Sequence, residues 1–109
     1  MSAKPVILRV QADRDIRAAV DHYLAEAGEK AALGFIAAFE QAYRHIARHP
    51  ATGSPRYAHE LDLPGLRSWP LKRYPYLIFY VERDDHVDVW RVLHDARDVP
   101  LWMRESGGT

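Results

Sequence analysis

Two adjacent apolar segments in the last third of the chain constrain its fold more than any other feature. Residues 76–82 and 87–93 are rich in β-branched and aromatic side chains, and the charged residues 83–86 separate them. This pattern predicts two neighbouring strands joined by a tight turn. Apolar residues occupy both alternating sets of positions, so both faces of the resulting sheet must be covered.

The first half of the chain predicts a strand followed by a helical hairpin. Residues 5–11 are apolar and β-branched, which favours a first strand, and Asp13 is a candidate N-cap for the helix that follows. Apolar residues then recur at helical spacing over residues 16–27 and again over 32–46. Gly28 lies between the two patterns, where a helix C-cap is expected.

The middle of the chain predicts a loop and one more strand. Residues 51–65 contain Pro, Gly, Ser and Thr without a sustained period, which is typical of a connecting loop. Residues 66–71 predict a short strand that Pro70 confines to an edge or a bulge. The order β-αα-βββ predicts an α+β fold, with the helical hairpin packed on one face of a small, mainly antiparallel sheet of about four strands.

A single domain is expected, because 109 residues is a typical domain length. We assign it to residues 1–109, with a core over about 6–102 and a flexible C-terminal tail. The hairpin can cover only one sheet face. Either the chain's own Leu101 and Trp102 or a separate partner protein covers the other face, and the sequence leaves both possibilities open.

Composition narrows the location and the chemistry. The chain has no cysteine, which excludes disulfides and thiolate metal sites and favours a reducing, cytoplasmic location. The apolar run at residues 6–8 is too short for a signal peptide or a membrane span, so no membrane association is expected. His45 and His49, at i, i+4, could hold a metal in principle, but a favourable position near a helix C-terminus explains them better. We expect no metal, and no cofactor motif is present.

The candidate binding residues are cations interleaved with aromatic side chains. Cations and aromatic rings together are suited to binding a phosphate backbone or an acidic protein surface. The alternative is that these residues are ordinary solvated positions on exposed strands, which would give the same sequence pattern. Arg91 stands out because it is mid-strand, where a charge needs a partner, and Asp95 or Asp98 is expected to supply it. His94 is more often a structural hydrogen-bonding group than a general base at such a position. The candidates are Arg67, Lys72, Arg73, Tyr74, Trp90, Arg91, His94 and Arg97.

Several short motifs, in this order and spacing, resemble the ParE branch of the RelE/ParE superfamily of bacterial toxins. The similarity extends over about residues 6–102. The motifs are Asp15-Ile16 with Ala19 and Tyr23, then Gly28, Phe35 and Ile46, then Pro50, Gly53 and Arg56, then Leu66-Arg67, Tyr74-Pro75-Tyr76, Arg91-Val92-Leu93-His94 and Ala96-Arg97-Asp98.

The resemblance implies a toxin that inhibits bacterial growth and is neutralised by a ParD-like antitoxin in a hetero-oligomer. In that family the C-terminal segment of the antitoxin folds into the groove between helical hairpin and sheet. The complex represses its own operon through DNA contacts made by the antitoxin, so operator DNA would be an indirect partner. ParE members with an assigned target act on DNA gyrase by binding, which implies no catalytic residues.

Two alternatives remain. Members of the RelE branch cleave messenger RNA on the ribosome, but this chain departs from their pattern. Tyr76 is followed by Leu77 rather than arginine, and the C-terminal aromatic residue is Trp102, whose indole cannot transfer protons at neutral pH. Lys72 and Arg97 could still stabilise phosphorane charge. The other alternative is a non-toxic binding module with the same fold.

Overall fold

The computed structural model describes residues 3–107, and the side chains of residues 3–105. Of the tail predicted to be flexible, Gly108 and Thr109 lie outside the described residues. The predicted α+β fold is confirmed. The elements are β1 (Val6–Leu8), α1 (Val10–Ala27), α2 (Glu29–Arg48), a 3₁₀ turn (Pro50–Thr52), α3 (Arg56–Glu60), β2 (Leu66–Pro70), β3 (Tyr76–Glu82), β4 (Val87–His94) and α4 (Val99–Gly107).

The four strands form one mixed sheet in the order β1-β4-β3-β2. β1 runs parallel to β4, whereas the β2–β3 and β3–β4 pairs are antiparallel. Phe79 pairs with Arg91 and Tyr80 pairs with Val89, so Trp90 is an extra residue in β4. This bulge shifts the alternation by one position, which lets both Val89 and Val92 join the core beneath the helices.

The predicted helical hairpin is confirmed and packs on one face of the sheet. Gly28 joins α1 to α2 with φ 91°, a conformation that glycine adopts without steric cost. Phe35 and Ile46 of α2 are fully buried against this face, together with Tyr80 of β3.

Asp13 does not cap α1, so that prediction was wrong. The N-cap is Arg9, and Asp13 lies in the first turn, where it pairs with Arg17 at 2.9 Å. The reason is the short β1 strand. The backbone N–H of Arg9 donates to the carbonyl of Val89, and the chain leaves the sheet at that point and turns directly into helix.

The second face of the sheet is covered from within the chain by two short helices. Trp102 of α4 packs edge-on against Phe79 of β3 with ring centroids 4.8 Å apart. Tyr57 of α3 contacts the same phenyl ring at 5.3 Å. The segment 51–65, predicted as a loop without regular structure, contains most of the 3₁₀ turn and all of α3, and α3 supplies part of this cover. Of the two open possibilities, the chain's own tail is the one observed over this part of the face.

Candidate functional sites

The eight predicted binding residues do not form one site. They lie in four places: the β2–β3 turn, the edge of β4 next to α1, the end of β4, and the outer strand β2. The turn carries Lys72, Arg73 and Tyr74, and the β4 edge carries Trp90 and Arg91. His94 is the last residue of β4, Arg97 follows it in the turn before α4, and Arg67 lies on β2.

The β2–β3 turn presents two cations on a fixed backbone. The Tyr74 hydroxyl donates to the carbonyl of Ala31 at 3.0 Å and anchors the turn to α2. The Leu71 backbone N–H donates to the carbonyl of Tyr76 and closes the turn. Arg73 has φ 71°, a left-handed conformation that is strained for arginine and persists only where the surroundings enforce it. The side chains of Lys72 and Arg73 are exposed.

The turn faces the C-terminal half of α2 across an open depression that we call the cationic trough. Three adjoining cavities of about 430, 160 and 340 Å³ make up the trough, and Gln41 lines all of them. Among the described residues, no carboxylate lines any of the three. Its polar and aromatic lining consists of Gln41, Arg44, His45, Arg48 and His49 from α2, and Trp69, Lys72, Arg73 and Tyr74 from β2 and the turn.

His45 lines two of the three trough cavities. Its ring stacks on Trp69 at 4.0 Å with an interplanar angle of 12°. Burial, and then the nearby charge of His49, lower the pKa of His45 below its ordinary value. The Thr52 hydroxyl donates to the carbonyl of His49 at 2.7 Å, so its oxygen accepts the proton of His45 Nε2 at 2.9 Å. Within the described residues, no group of three metal-ligating side chains exists around this histidine pair or elsewhere.

Arg91 is paired with Asp15, not with Asp95 or Asp98, so the predicted partner was wrong. The guanidinium donates from Nε at 2.8 Å and from Nη2 at 3.0 Å to the two oxygens of Asp15. Asp15 also accepts the backbone N–H of Val92 at 3.0 Å. The pairing follows from the topology, because β1 ends at Leu8 and α1 then passes beside the unpaired edge of β4. The ion pair is a clamp between α1 and β4.

Trp90 belongs to a second hydrogen-bond network, which is centred on the buried carboxylate of Asp88. The Asp88 carboxylate accepts from Arg9 at 2.9 and 3.0 Å, from Arg83 at 3.2 and 3.3 Å, and from Trp90 Nε1 at 3.1 Å. Burial by itself would raise the pKa of Asp88, but these hydrogen bonds outweigh it and hold that pKa below the ordinary value. The Arg9 guanidinium lies 4.3 Å from the centre of the Trp90 ring and covers one side of it.

The residues at the end of β4 stabilise the turn into α4. His94 Nδ1 accepts the backbone N–H groups of Ala96 at 3.2 Å and Arg97 at 3.1 Å. An oxygen of Asp98 accepts the His94 backbone N–H at 3.1 Å. Arg97 donates to the hydroxyl of Tyr76 at 3.2 Å. His94 is therefore a structural acceptor, as its position in the sequence suggested.

Arg67 also has a structural contact. It donates from Nη1 to the carbonyl of Gly53 at 2.8 Å, which ties the loop after α2 to β2. The backbone N–H of Gly53 in turn donates to the Tyr80 hydroxyl at 3.1 Å, and a side chain on Gly53 would collide with that ring. Arg67 does not belong to the trough, because it lines none of the three trough cavities.

A groove with a mixed apolar and charged lining lies between the start of α1 and α4, and we call it the α1–α4 groove. It comprises two cavities of about 380 and 200 Å³ that share Arg91 and Trp102. Val10 is 67% exposed and Leu101 is 50% exposed at its two sides. Trp90 lines the first cavity, whereas Asp15, Asp98 and Glu105 line the second. An exposed apolar surface of this kind is typical of a protein-binding site.

Sequence reasoning missed several residues of both surfaces. Arg44 and Arg48 repeat at i, i+4 on α2, directly before His45 and His49, and this spacing could have revealed a cationic helix face. No spacing pattern in the sequence identifies Val10 as a surface residue, because its exposure depends on where β1 ends and α1 begins.

Comparisons with known proteins match most of the chain. The family described as the ParE toxin of type II toxin-antitoxin system, parDE, matches residues 6–99. A solved structure titled "Chromosomal ParDE TA system from P. aeruginosa" superposes with a TM-score of 0.71 at 19% identity, over 84% of this chain and 96% of that chain. This level of identity establishes a shared fold. No curated protein sequence matches significantly. None of the described helices combines the length and hydrophobicity needed to cross a membrane.

Proposed function

The chain belongs to the ParE toxin family of type II toxin–antitoxin systems, and from this premise we propose that it arrests bacterial growth by binding DNA gyrase in the cytoplasm. We further propose that a ParD-like antitoxin neutralises it. The family match over residues 6–99 is the observation that carries the proposal.

The α1–α4 groove supports the antitoxin part of the proposal. The groove lies beside β4, between the start of α1 and α4, and therefore borders both the helical hairpin and the sheet. The resemblance implies that an antitoxin segment folds between these two parts of the fold. The rim of the groove offers Val10 and Leu101, two exposed large apolar side chains, to a partner. Burial of such side chains is the main favourable contribution when a disordered segment folds on a surface.

Hydrogen bonding at the end of β4 favours a binding toxin over a ribonuclease. An RNA-cleaving site needs a group that can accept or donate a proton at the 2′-hydroxyl. His94 Nδ1 already accepts two backbone N–H groups. Tyr76 is 3% exposed, and its hydroxyl is hydrogen-bonded to Arg97. In this arrangement His94 Nδ1 and the Tyr76 hydroxyl are engaged in hydrogen bonds within the fold, which disfavours them as an acid–base pair.

Plasmid topology after induction tests the target. The chain is expressed in a bacterial host that carries a reporter plasmid, with the empty vector and antitoxin co-expression as controls. Binding to gyrase predicts relaxed plasmid, or linear plasmid covalently trapped with gyrase, before growth stops. Antitoxin co-expression should restore both normal supercoiling and growth.

Two results would contradict the proposal in different ways. Arrested growth with normal supercoiling would exclude gyrase as the target and direct attention to the ribosome, with Lys72 and Arg97 as candidates for charge stabilisation. Undisturbed growth at high expression would exclude toxicity in that host and favour the non-toxic binding module.

A further inference from the structure

The proposed antitoxin site leaves the cationic trough unused. We propose that the trough binds the phosphate backbone of duplex DNA directly, without selecting a base sequence. The resemblance implies DNA contacts only through the antitoxin, so this would be a separate binding activity of the chain itself.

The first observation is charge segregation. The chain as a whole is neutral, with 15 basic and 15 acidic residues. The trough nevertheless contains four permanent cations, Arg44, Arg48, Lys72 and Arg73, and no carboxylate from the described part of the chain lines it. The α1–α4 groove, by contrast, includes three acids in its second cavity. A concave surface with one sign of charge concentrates counterions of the opposite sign.

The second observation is that these cations are available. Arg9, Arg83, Arg91 and Arg97 each contact a carboxylate within the chain. Within the described residues, none of the four trough cations takes part in an ion pair, and all four are exposed. An external polyanion would therefore gain their charge without breaking an internal pair, and would release its own counterions on binding.

The third observation is the placement of the cations on two separate elements. Arg48 lies in the last turn of α2, where the helix dipole alone would favour a positive charge. Lys72 and Arg73 have no such explanation, because they are on the β2–β3 turn. Cations from the helix and from the turn thus line both sides of the depression, and Gln41 adds a neutral amide donor between them.

The aromatic side chains of the trough favour nucleic acid over an acidic protein. Protein interfaces depend on free aromatic or aliphatic anchors and are depleted in lysine. Here Trp69 is already stacked on His45, and the Tyr74 ring packs against Phe35 and Tyr23. No exposed large apolar side chain lines the trough. What remains for a ligand is positive charge and hydrogen-bond donors, which suits a polar nucleic-acid interface.

The same aromatic side chains favour a duplex over a single strand. Single-stranded nucleic acid is held largely by stacking its bases on free aromatic rings. His45 already covers one face of the Trp69 ring, and the Tyr74 ring packs edge-on against Phe35 and Tyr23. These rings are therefore less suited to stacking with bases than free rings, which favours contacts to the phosphates of a closed helix. The choice of DNA over RNA rests on the proposed gyrase target, since phosphate contacts alone do not distinguish the two.

Fluorescence anisotropy with purified full-length chain and no gyrase tests the proposal. The probe is a labelled DNA duplex of about 20 base pairs and arbitrary sequence, titrated at salt concentrations between about 50 and 200 mM. Contacts to four phosphates, at a slope of about −0.9 each, predict a log–log salt slope of about −3.6. This corresponds to about a 150-fold loss of affinity over that range. A second sequence of the same length should bind equally well.

Charge-neutralising variants locate the site. Lys72→Gln/Arg73→Asn removes the turn cations, and asparagine suits the left-handed backbone at position 73. Arg44→Gln/Arg48→Gln removes the helix cations. Each pair should reduce the salt slope to about −1.8. Arg14→Gln/Lys30→Gln is the matched control, because it removes the same charge from exposed positions outside the trough and should leave the slope unchanged.

Three results would overturn the proposal. The first is no salt-dependent binding by the native chain, and the second is an equal loss of slope in the control variant. The third is tighter binding of poly-L-glutamate than of the duplex at the same salt, which would make the trough a site for acidic protein. Tighter binding of an RNA duplex of equal length would overturn the choice of DNA while leaving the phosphate site intact. These results do not depend on gyrase, so they are distinguishable from failure of the plasmid assay.

Discussion

At the scale of single residues, the arginines divide into structural and available groups. Arg91 and Arg9 hold buried carboxylates, Asp15 and Asp88 respectively, and so connect the start of α1 to β4. Arg67 holds the carbonyl of Gly53. Arg44 and Arg73 have no ion-pair partner among the described residues. The presence of arginine is therefore a weak guide to binding, and its partner within the fold decides its role.

Replacing Asp15 should destabilise the fold. Asp15→Ala leaves the Arg91 guanidinium partly buried and without its partner, and also leaves the N–H of Val92 unpaired. The Asp15 side chain is only 13% exposed and the Arg91 side chain only 26% exposed. We expect the free energy of unfolding to fall by about 2–4 kcal/mol, measured by urea denaturation followed by circular dichroism.

Asp13→Ala is the control for this substitution. Asp13 lies two residues earlier on α1 and also pairs with an arginine, Arg17, but both side chains of that pair are at least half exposed. Its loss should cost no more than about 0.5 kcal/mol. Equal effects of the two substitutions would mean that the Asp15–Arg91 pair does not clamp α1 to β4.

The sequence could not show which residues pair with each other in the folded chain. The mid-strand position of Arg91 correctly predicted that the charge needs a carboxylate. The sequence favoured Asp95 and Asp98 because they are near in the chain, whereas the actual partner is 76 residues away. The pairing depends on α1 passing beside β4, and sequence spacing does not encode this three-dimensional relation.

At the scale of elements, the long and periodic segments were predictable and the short helices were not. α1 and α2 have 18 and 20 residues, long enough for their apolar repeat to be recognised. α3 has five residues and α4 has nine, and helices of this length are marginal in isolation. They form because Tyr57 and Trp102 pack against Phe79 of the sheet, which is a tertiary effect.

Removal of α4 should expose the second face of the sheet. Truncation after Asp98 deletes Val99, Trp102 and Met103, which cover Phe79 and Leu93. Val99 is buried, and Trp102 and Met103 are partly buried, so their combined loss should lower the free energy of unfolding by at least about 3 kcal/mol. Binding of the dye ANS should increase because apolar surface becomes accessible.

Truncation after Glu105 is the matched control. It keeps Val99, Trp102 and Met103 and should leave both stability and dye binding close to those of the full chain. If truncation after Asp98 also left the chain equally stable, α4 would not be the cover of this face, and a partner would have to supply it.

At the scale of the whole molecule, the fold presents two chemically distinct surfaces. The α1–α4 groove combines apolar side chains with charged ones and has three acids at one end. The cationic trough lies between α2 and the β2–β3 turn and, among the described residues, has no acid in its lining. The two surfaces share no lining residue. A small toxin of this architecture could therefore bind its antitoxin and a second partner at separate places.

Substitutions in the groove should weaken antitoxin binding without affecting the trough. Val10→Ser/Leu101→Ser removes two exposed apolar side chains, so the fold should be retained. We expect the affinity for the ParD-like antitoxin, measured by isothermal titration calorimetry, to fall by at least about tenfold because apolar burial is lost. Hydrogen exchange over residues 77–93 should slow when the native chain binds the antitoxin, and should slow less in the variant.

The control for the groove variant is Leu24→Ser/Leu33→Ser. These leucines are 51% and 57% exposed, comparable to Leu101, but they line neither the groove nor the trough. Their replacement should leave antitoxin affinity unchanged, and the groove variant should still bind duplex DNA with the native salt slope.

Loss of antitoxin affinity in the control alone would place the antitoxin on the outer surface of the helical hairpin. Loss of antitoxin affinity in the Lys72→Gln/Arg73→Asn variant would show instead that antitoxin and DNA compete for the trough. The two surfaces would then not act independently.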